Sequence, residues 1–244
     1  MTSRILSALV RPLKPFFVAL VPDRYVGPEV AAGRYGWPLI TVILCACIAA
    51  FALGTRLDVG PEVRADNAVE TAANGKPNAA EIKTDREIDE AIAQRVAVVR
   101  VKLGVGAALG TPFRIFGLAL AMLLLGRFIG GKPTMPRALT VASIASVPGA
   151  VRSLVTAVVA WRQQSIGASE LESLVQFPSW IPSGHPVLER LLAGVDVFTW
   201  WSVVLLAFGL SAAADVRRTK GFIAVAIGFG LFLAVTRLIM GGGR

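Results

Sequence analysis

Between Arg34 and Arg56 the chain reads Tyr35-Gly36-Trp37-Pro38-Leu39-Ile40-Thr41-Val42-Ile43-Leu44-Cys45-Ala46-Cys47-Ile48-Ala49-Ala50-Phe51-Ala52-Leu53-Gly54-Thr55, 21 residues without a charge. At ~1.5 Å per residue a helix of that length crosses the ~30 Å hydrocarbon core of a bilayer. Tyr35 and Trp37 place aromatic rings at one end, where amphipathic rings favour the interface. This stretch makes a membrane span the first reading of the chain, and the composition extends it to the whole. Of 244 residues, 55% are apolar and 17% charged, with a mean hydropathy of +0.64. A soluble domain carries about 25% charged residues, so this chain has too few polar groups to cover a water-facing globule. The net charge of +9 is therefore read as basic residues retained in cytoplasmic loops rather than as a nucleic-acid footprint.

Four further spans follow. The second is uncharged from Ile115 to Gly126, with Arg114 before it and Arg127 after it, and extends upstream through Val105 to Phe113, so that Pro112 stands near its start. The third runs from Ala138 to Trp161, carries Arg152, and is expected to bend at Pro148-Gly149. The fourth includes Val197 to Ala214 and is preceded by Asp196; the fifth is Gly221 to Met240, with Arg237 near its end. The expected fold is an all-α integral membrane protein, a bundle of five transmembrane helices with amphipathic interfacial helices. Its parts are a cytoplasmic juxtamembrane arm at 1–35, a first span at 36–55, an external loop at 56–104 with an amphipathic helix at 84–104, and a four-span bundle at 105–240. The net charges of the flanking segments run +3 over 1–35, −1 over 55–104, +3 over 127–137, −1 over 162–193 and +2 over 215–220. That alternation predicts an N-terminus in the cytoplasm and a C-terminus outside.

Between the spans, Thr84-Asp85-Arg86-Glu87 forms a capping-box pattern. Ile88, Ile92, Val96, Val99 and Leu103 then recur at intervals of three and four, one apolar stripe of a helix that feeds the second span. In the arm, Ile5, Leu6, Leu9 and Val10 fall at helical spacing beside Arg4, Arg11 and Lys14, while Pro12, Pro15, Pro22 and Pro28 prevent a long helix. It reads as an interfacial element or a loosely ordered arm. Met1 to Val10 does not read as a cleavable signal, because Arg11-Pro12 interrupts it.

Catalytic chemistry finds little purchase. Cys45 and Cys47 are two apart in an apolar run, His185 is the one histidine, and no GxxxxGK[ST] phosphate loop occurs. No catalytic, cofactor or metal residue is assigned, no cofactor is expected, and an enzyme is not expected. Gly106-xxx-Gly110 and Gly126-xxx-Gly130 match small-residue helix contacts. The feature that remains is intramembrane charge. Arg114, Arg152, Asp196 and Arg237 fall toward one half of the bundle and form a candidate polar network, with Arg152 and Asp196 expected to pair. The other reading has Asp196 capping the fourth helix while Arg152 snorkels.

The stretch from Leu191 to Leu210 resembles the fourth span of the Yip-one family, a polytopic family of Ypt/Rab-interacting-protein domains: a leucine-rich lead-in, Asp-x-Phe-x-x-Trp as Asp196, Phe198 and Trp200 or Trp201, then an apolar run ending in Ala-x-Gly. Ala142 to Pro148 is similar to that family's small-residue run closed by a mid-membrane proline, and Leu171 to Phe177, Pro12 and Phe16 fit its lead-ins. The resemblance implies a bacterial-type, multi-pass inner-membrane protein without enzymatic activity that scaffolds or assists a membrane assembly. Its partners would be the lipid bilayer and another membrane protein, not nucleic acid. Binding of Rab-type GTPases, known among eukaryotic relatives, is not expected. The alternative is a small transporter or lipid-handling protein using an Arg-lined cavity.

Overall fold

A computed structural model of the chain describes residues 14–56, 85–162 and 196–241. These residues form helices and short turns, with no strand among them. The helices are α1 (Lys14–Leu20), α2 (Pro22–Ala31), α3 (Gly36–Arg56), α4 (Asp85–Val105), α5 (Thr111–Phe128), α6 (Met135–Ala145), α7 (Val147–Arg162), α8 (Val197–Ala214) and α9 (Arg218–Gly241). A π-helical turn, Gly106–Gly110, joins α4 to α5. Five of the resulting segments are long and apolar enough to cross a membrane: α3, the α4–α5 helix, α6 with α7, α8, and α9.

The third span is the axis of the bundle. From Thr140 to Pro148 every residue is buried, and α3, α5 and α8 pack around α6 and α7. Its sequence suits that place: Ala138, Ala142, Ala145 and Ala150 let neighbouring backbones approach, and Thr140 and Ser146 return their hydroxyls to the carbonyls of Pro136 and Ala142 at 2.8 Å each. The regular helix stops at Ser146, whose N–H is shared between the carbonyls of Ala142 and Ser143. Pro148, two residues on, has no N–H to give to the carbonyl of Ile144 and its ring crowds that turn. The expected bend of the third span is thus an interruption of α6–α7 just ahead of the proline.

The second span is continuous with the amphipathic helix that precedes it. It is one helical rod from Asp85 to Phe128, continuous through the π turn; the stretch from Glu87 to Phe128 alone has 42 residues, about 63 Å by axial rise and roughly twice the hydrocarbon thickness. Pro112 cannot donate to the carbonyl of Ala108, and the ladder slips by one residue immediately upstream, at Gly106–Gly110. The five stripe residues Ile88, Ile92, Val96, Val99 and Leu103 are all half-buried while most of their neighbours are exposed. This face lies on α3. There Arg100 donates from Nε to the carbonyl of Gly54 at 2.7 Å, satisfying one of the unpaired carbonyls in the last turn of α3.

The arm is more firmly placed than its prolines suggest. Val18, Ala19, Val26 and Val30 are buried in the common core, α2 packs between α8 and α6, and Pro28 is accommodated inside α2. The apolar positions Ile5 to Val10 lie outside the described residues, as do the loops at 57–84 and 163–195. Three segments expected on one side of the membrane meet at one end of the bundle. Lys132 N–H bonds the carbonyl of Ala214 at 3.3 Å, joining the 127–137 and 215–220 turns. Gly33 abuts Pro136, bringing the end of the arm to the same place.

Candidate functional site: a buried ion pair between the third and fourth spans

Three contacts set the register of the third span against α8: Lys132 with Ala214, Val141 with Gly209, and Arg152 with Asp196. Each step forward along one helix is matched by a step back along the other, so Arg152 and Asp196 stand at one level. The third span continues ten residues beyond Arg152, to Arg162, about 15 Å by axial rise.

Asp196 performs both roles that the sequence offered it. Its backbone is extended (φ −115°, ψ 179°), which ends any helix arriving from upstream and makes it the N-cap of α8. Its Oδ1 accepts from the backbone N–H of Thr199 and from the Thr199 hydroxyl, each at 2.8 Å. Its Oδ2 is 3.1 Å from Arg152 Nη1. That second contact lacks hydrogen-bond geometry, leaving Oδ2 buried with a charge partner and no directed donor. The Asp196 side chain is 5% exposed and that of Arg152 33%. The carboxylate is therefore fixed by α8 and offered to a guanidinium that keeps one side open.

Arg114 joins them from α5. A Cβ built on Gly149 would lie 3.7 Å from Arg114 Nη2, so this guanidinium rests on α7 one turn before Arg152. Two cations thus approach one stretch of α7, opposite a single carboxylate. Arg237 is on α9, and its side chain lies outside the described residues. Pro148 is buried in the axis of the bundle. Phe198, half-buried, has a contact of its own. Among the described residues no cluster of His, Cys, Asp and Glu could hold a metal ion, and His185 lies outside them.

The two tryptophans separate cleanly. Trp201 turns inward and donates its indole N–H to the carbonyl of Ala19 at 2.9 Å, tying α8 to the end of α1. Trp200 faces outward, 54% exposed, with its ring 6.3 Å from that of Phe229. Composition could not distinguish them, because α8 is apolar all round and shows no polar face from which a phase could be read. Trp201→Phe, which keeps the ring and removes the donor, is expected to cost about 1 kcal/mol. It should also raise amide exchange at residues 19–23 first. Trp200→Phe should leave both unchanged, and equal effects at the two positions would contradict the assignment.

The small-residue pairs resolve differently from their motif. Gly106 and Gly110 have open space where a Cβ would stand, and Gly126 is pressed against Pro133 in its own turn. Close helix approaches are instead at Gly209, where a Cβ would meet Val141 Cγ1 at 2.5 Å, and at Gly221 of α9, where it would press into Ser211 and the Ala207 carbonyl of α8.

Five apolar helices around a buried, internally paired carboxylate define a multi-pass α-helical membrane protein. The Yip1 domain model matches residues 25–239. The chain belongs to the Yip1 family, in agreement with the resemblance carried by Asp196, Phe198 and Trp200 or Trp201. No match was found among the curated proteins or among the solved structures.

Proposed function

We propose that this chain is a non-enzymatic scaffold of the bacterial inner membrane that assists another membrane assembly. The observation that carries the reading is the way its intramembrane acid is used. Both Asp196 oxygens are engaged within the protein, by Thr199 and by Arg152. A charge spent on holding two spans together is a structural device. The end of the bundle that gathers Arg127, Lys132, Arg137, Arg217, Arg218 and Lys220 would face the cytoplasm, where basic loops are retained.

One observation favours the alternative of a transporter or lipid-handling protein. Arg152 is a third exposed and Arg114 lies on the same stretch of α7, so an anion approaching from outside the pair would meet two cations. Accessibility distinguishes the readings. For a scaffold, Arg114→Gln should leave intact the set of membrane proteins recovered in mild detergent, and Gly149→Cys, which stands beside Arg114 and leaves the ion pair whole, should resist a membrane-impermeant thiol reagent. Rapid modification of Gly149→Cys in intact cells, with loss of an associated flux on Arg114→Gln, would favour the transporter and sink the scaffold.

A further inference from the structure

A cavity of about 570 Å³ opens between α1, α2 and the first turn of α3, away from the ion pair. Its floor is apolar and buried: Pro15 and Val18 of α1, Pro38 of α3 and Ile144 of α6. Its rim is exposed and carries Arg34 and Trp37, the latter 52% exposed. Glu29 stands on the same rim and has an interaction of its own. The volume falls within the roughly 300–1,000 Å³ of small-molecule sites, and an apolar wall with a few polar groups at one edge is their usual chemistry.

The position of the cavity says what would fill it. Gly36 and Trp37 begin the first span, so the rim is where that helix enters the bilayer, and an aromatic ring there marks the headgroup level. Ile144 lies nine residues into the third span from Met135, about 13 Å deeper by axial rise. The cavity therefore runs from a cationic mouth at the interface into an apolar interior, which is the layout of a lipid: charged head, long apolar tail. Arg34 sits at the end that also carries the basic turns at 127–137 and 215–220, through the contact of Gly33 with Pro136. A guanidinium in a positive field favours a headgroup of net negative charge.

We propose that this cavity holds one anionic glycerophospholipid, its phosphate on Arg34 and an acyl chain along Val18, Pro38 and Ile144. The site is separate from the Arg114–Arg152–Asp196 cluster and does not depend on the scaffold role. It is tested on purified protein, with no partner present.

The probe is native mass spectrometry of the full chain released from vesicles containing equal phosphatidylglycerol and phosphatidylcholine with identical acyl chains. Both lipids offer Arg34 a phosphate, but only phosphatidylglycerol does so without a choline cation. The wild-type chain should therefore retain one phosphatidylglycerol in preference to phosphatidylcholine by about fivefold, the worth of roughly 1 kcal/mol per basic residue facing a net anionic head. Arg34→Gln, a change at an exposed side chain, should bring the two lipids near parity without altering the melting temperature. Arg34→Lys should keep most of the preference. Val18→Phe, which fills the floor, should lower retention of both lipids. Equal retention of the two lipids by the wild-type chain, through an annular belt or because the protein's own apolar residues occupy the cavity, would overturn the proposal. An unchanged preference in Arg34→Gln would overturn it as well.

Discussion

Reversing either member of the buried pair, Arg152→Asp or Asp196→Arg, is expected to remove most of the folded protein recovered in detergent, and the double reversal to recover part of it. Breaking a buried pair by removing one partner costs roughly 3–5 kcal/mol, because the other charge stays behind without water or a counter-ion. The cost is set by Asp196, which is the buried member; Arg152, a third exposed, can turn toward the interface and soften its own loss. Recovery in the double reversal should be partial for a reason visible in the structure. Asp196 also accepts from Thr199, and an arginine there cannot, so the cap, worth about 1 kcal/mol, stays lost. Asp196→Asn separates the two contributions: it keeps an acceptor for Thr199 and removes the charge, and should fall between the wild-type chain and Asp196→Arg. Single reversals that fold normally, with no gain on combining them, would show that the pair does not hold the spans together.

Gly209→Leu is expected to be the next most damaging change. Gly209 and Val141 are both buried, and even a methyl group would press into Val141. The third span is buried at every position from Thr140 to Pro148, so it has little room to retreat. Overpacking a tight core costs about 1–3 kcal/mol and occasionally more. Here the strain falls on the α6–α8 contact that also sets the level of Arg152 and Asp196. The control is Gly230→Leu on α9, where nothing lies within 4 Å of the added Cβ. Thermal unfolding in detergent should show a large loss for the first and little change for the second. Similar melting temperatures would mean that α6 and α8 are not in close contact in the membrane.

What the sequence could disclose divides along a physical line. Spans are legible where charge is absent over a bilayer's thickness, which is why α3 and α8 appear at nearly their read bounds. The α4 stripe is legible because one face meets protein and the other does not, so periodicity survives. The pairing of Arg152 with Asp196 is legible because hydrocarbon offers a charge no alternative partner. Three features are not legible, each for its own reason. The phase of α8 is hidden because lipid and protein interior are equally apolar, so Trp200 and Trp201 look alike until Ala19 is found bonded to one of them. The burial of α1 and α2 is hidden because proline-rich, mixed-polarity sequence also describes an arm on the surface. The break in the chain at Asp196 is hidden because an extended aspartate has no compositional mark. That it caps α8 and pairs with Arg152 at once emerges only from its φ and ψ, the donors of Thr199 and the approach of Arg152.

The proposed arrangement has five spans with the basic end of the bundle in the cytoplasm. Cysteine accessibility in intact cells tests it, in a background where Cys45 and Cys47 are replaced by alanine. Asn74→Cys, between the first and second spans, should react with a membrane-impermeant maleimide without opening the cells. Lys132→Cys and Arg217→Cys, in the two turns joined by the Lys132–Ala214 hydrogen bond, should react only after the cells are opened. Labelling of Lys132→Cys in intact cells, with Asn74→Cys protected, would invert the protein in the membrane; labelling of Lys132→Cys and Arg217→Cys from opposite sides would break the five-span arrangement itself.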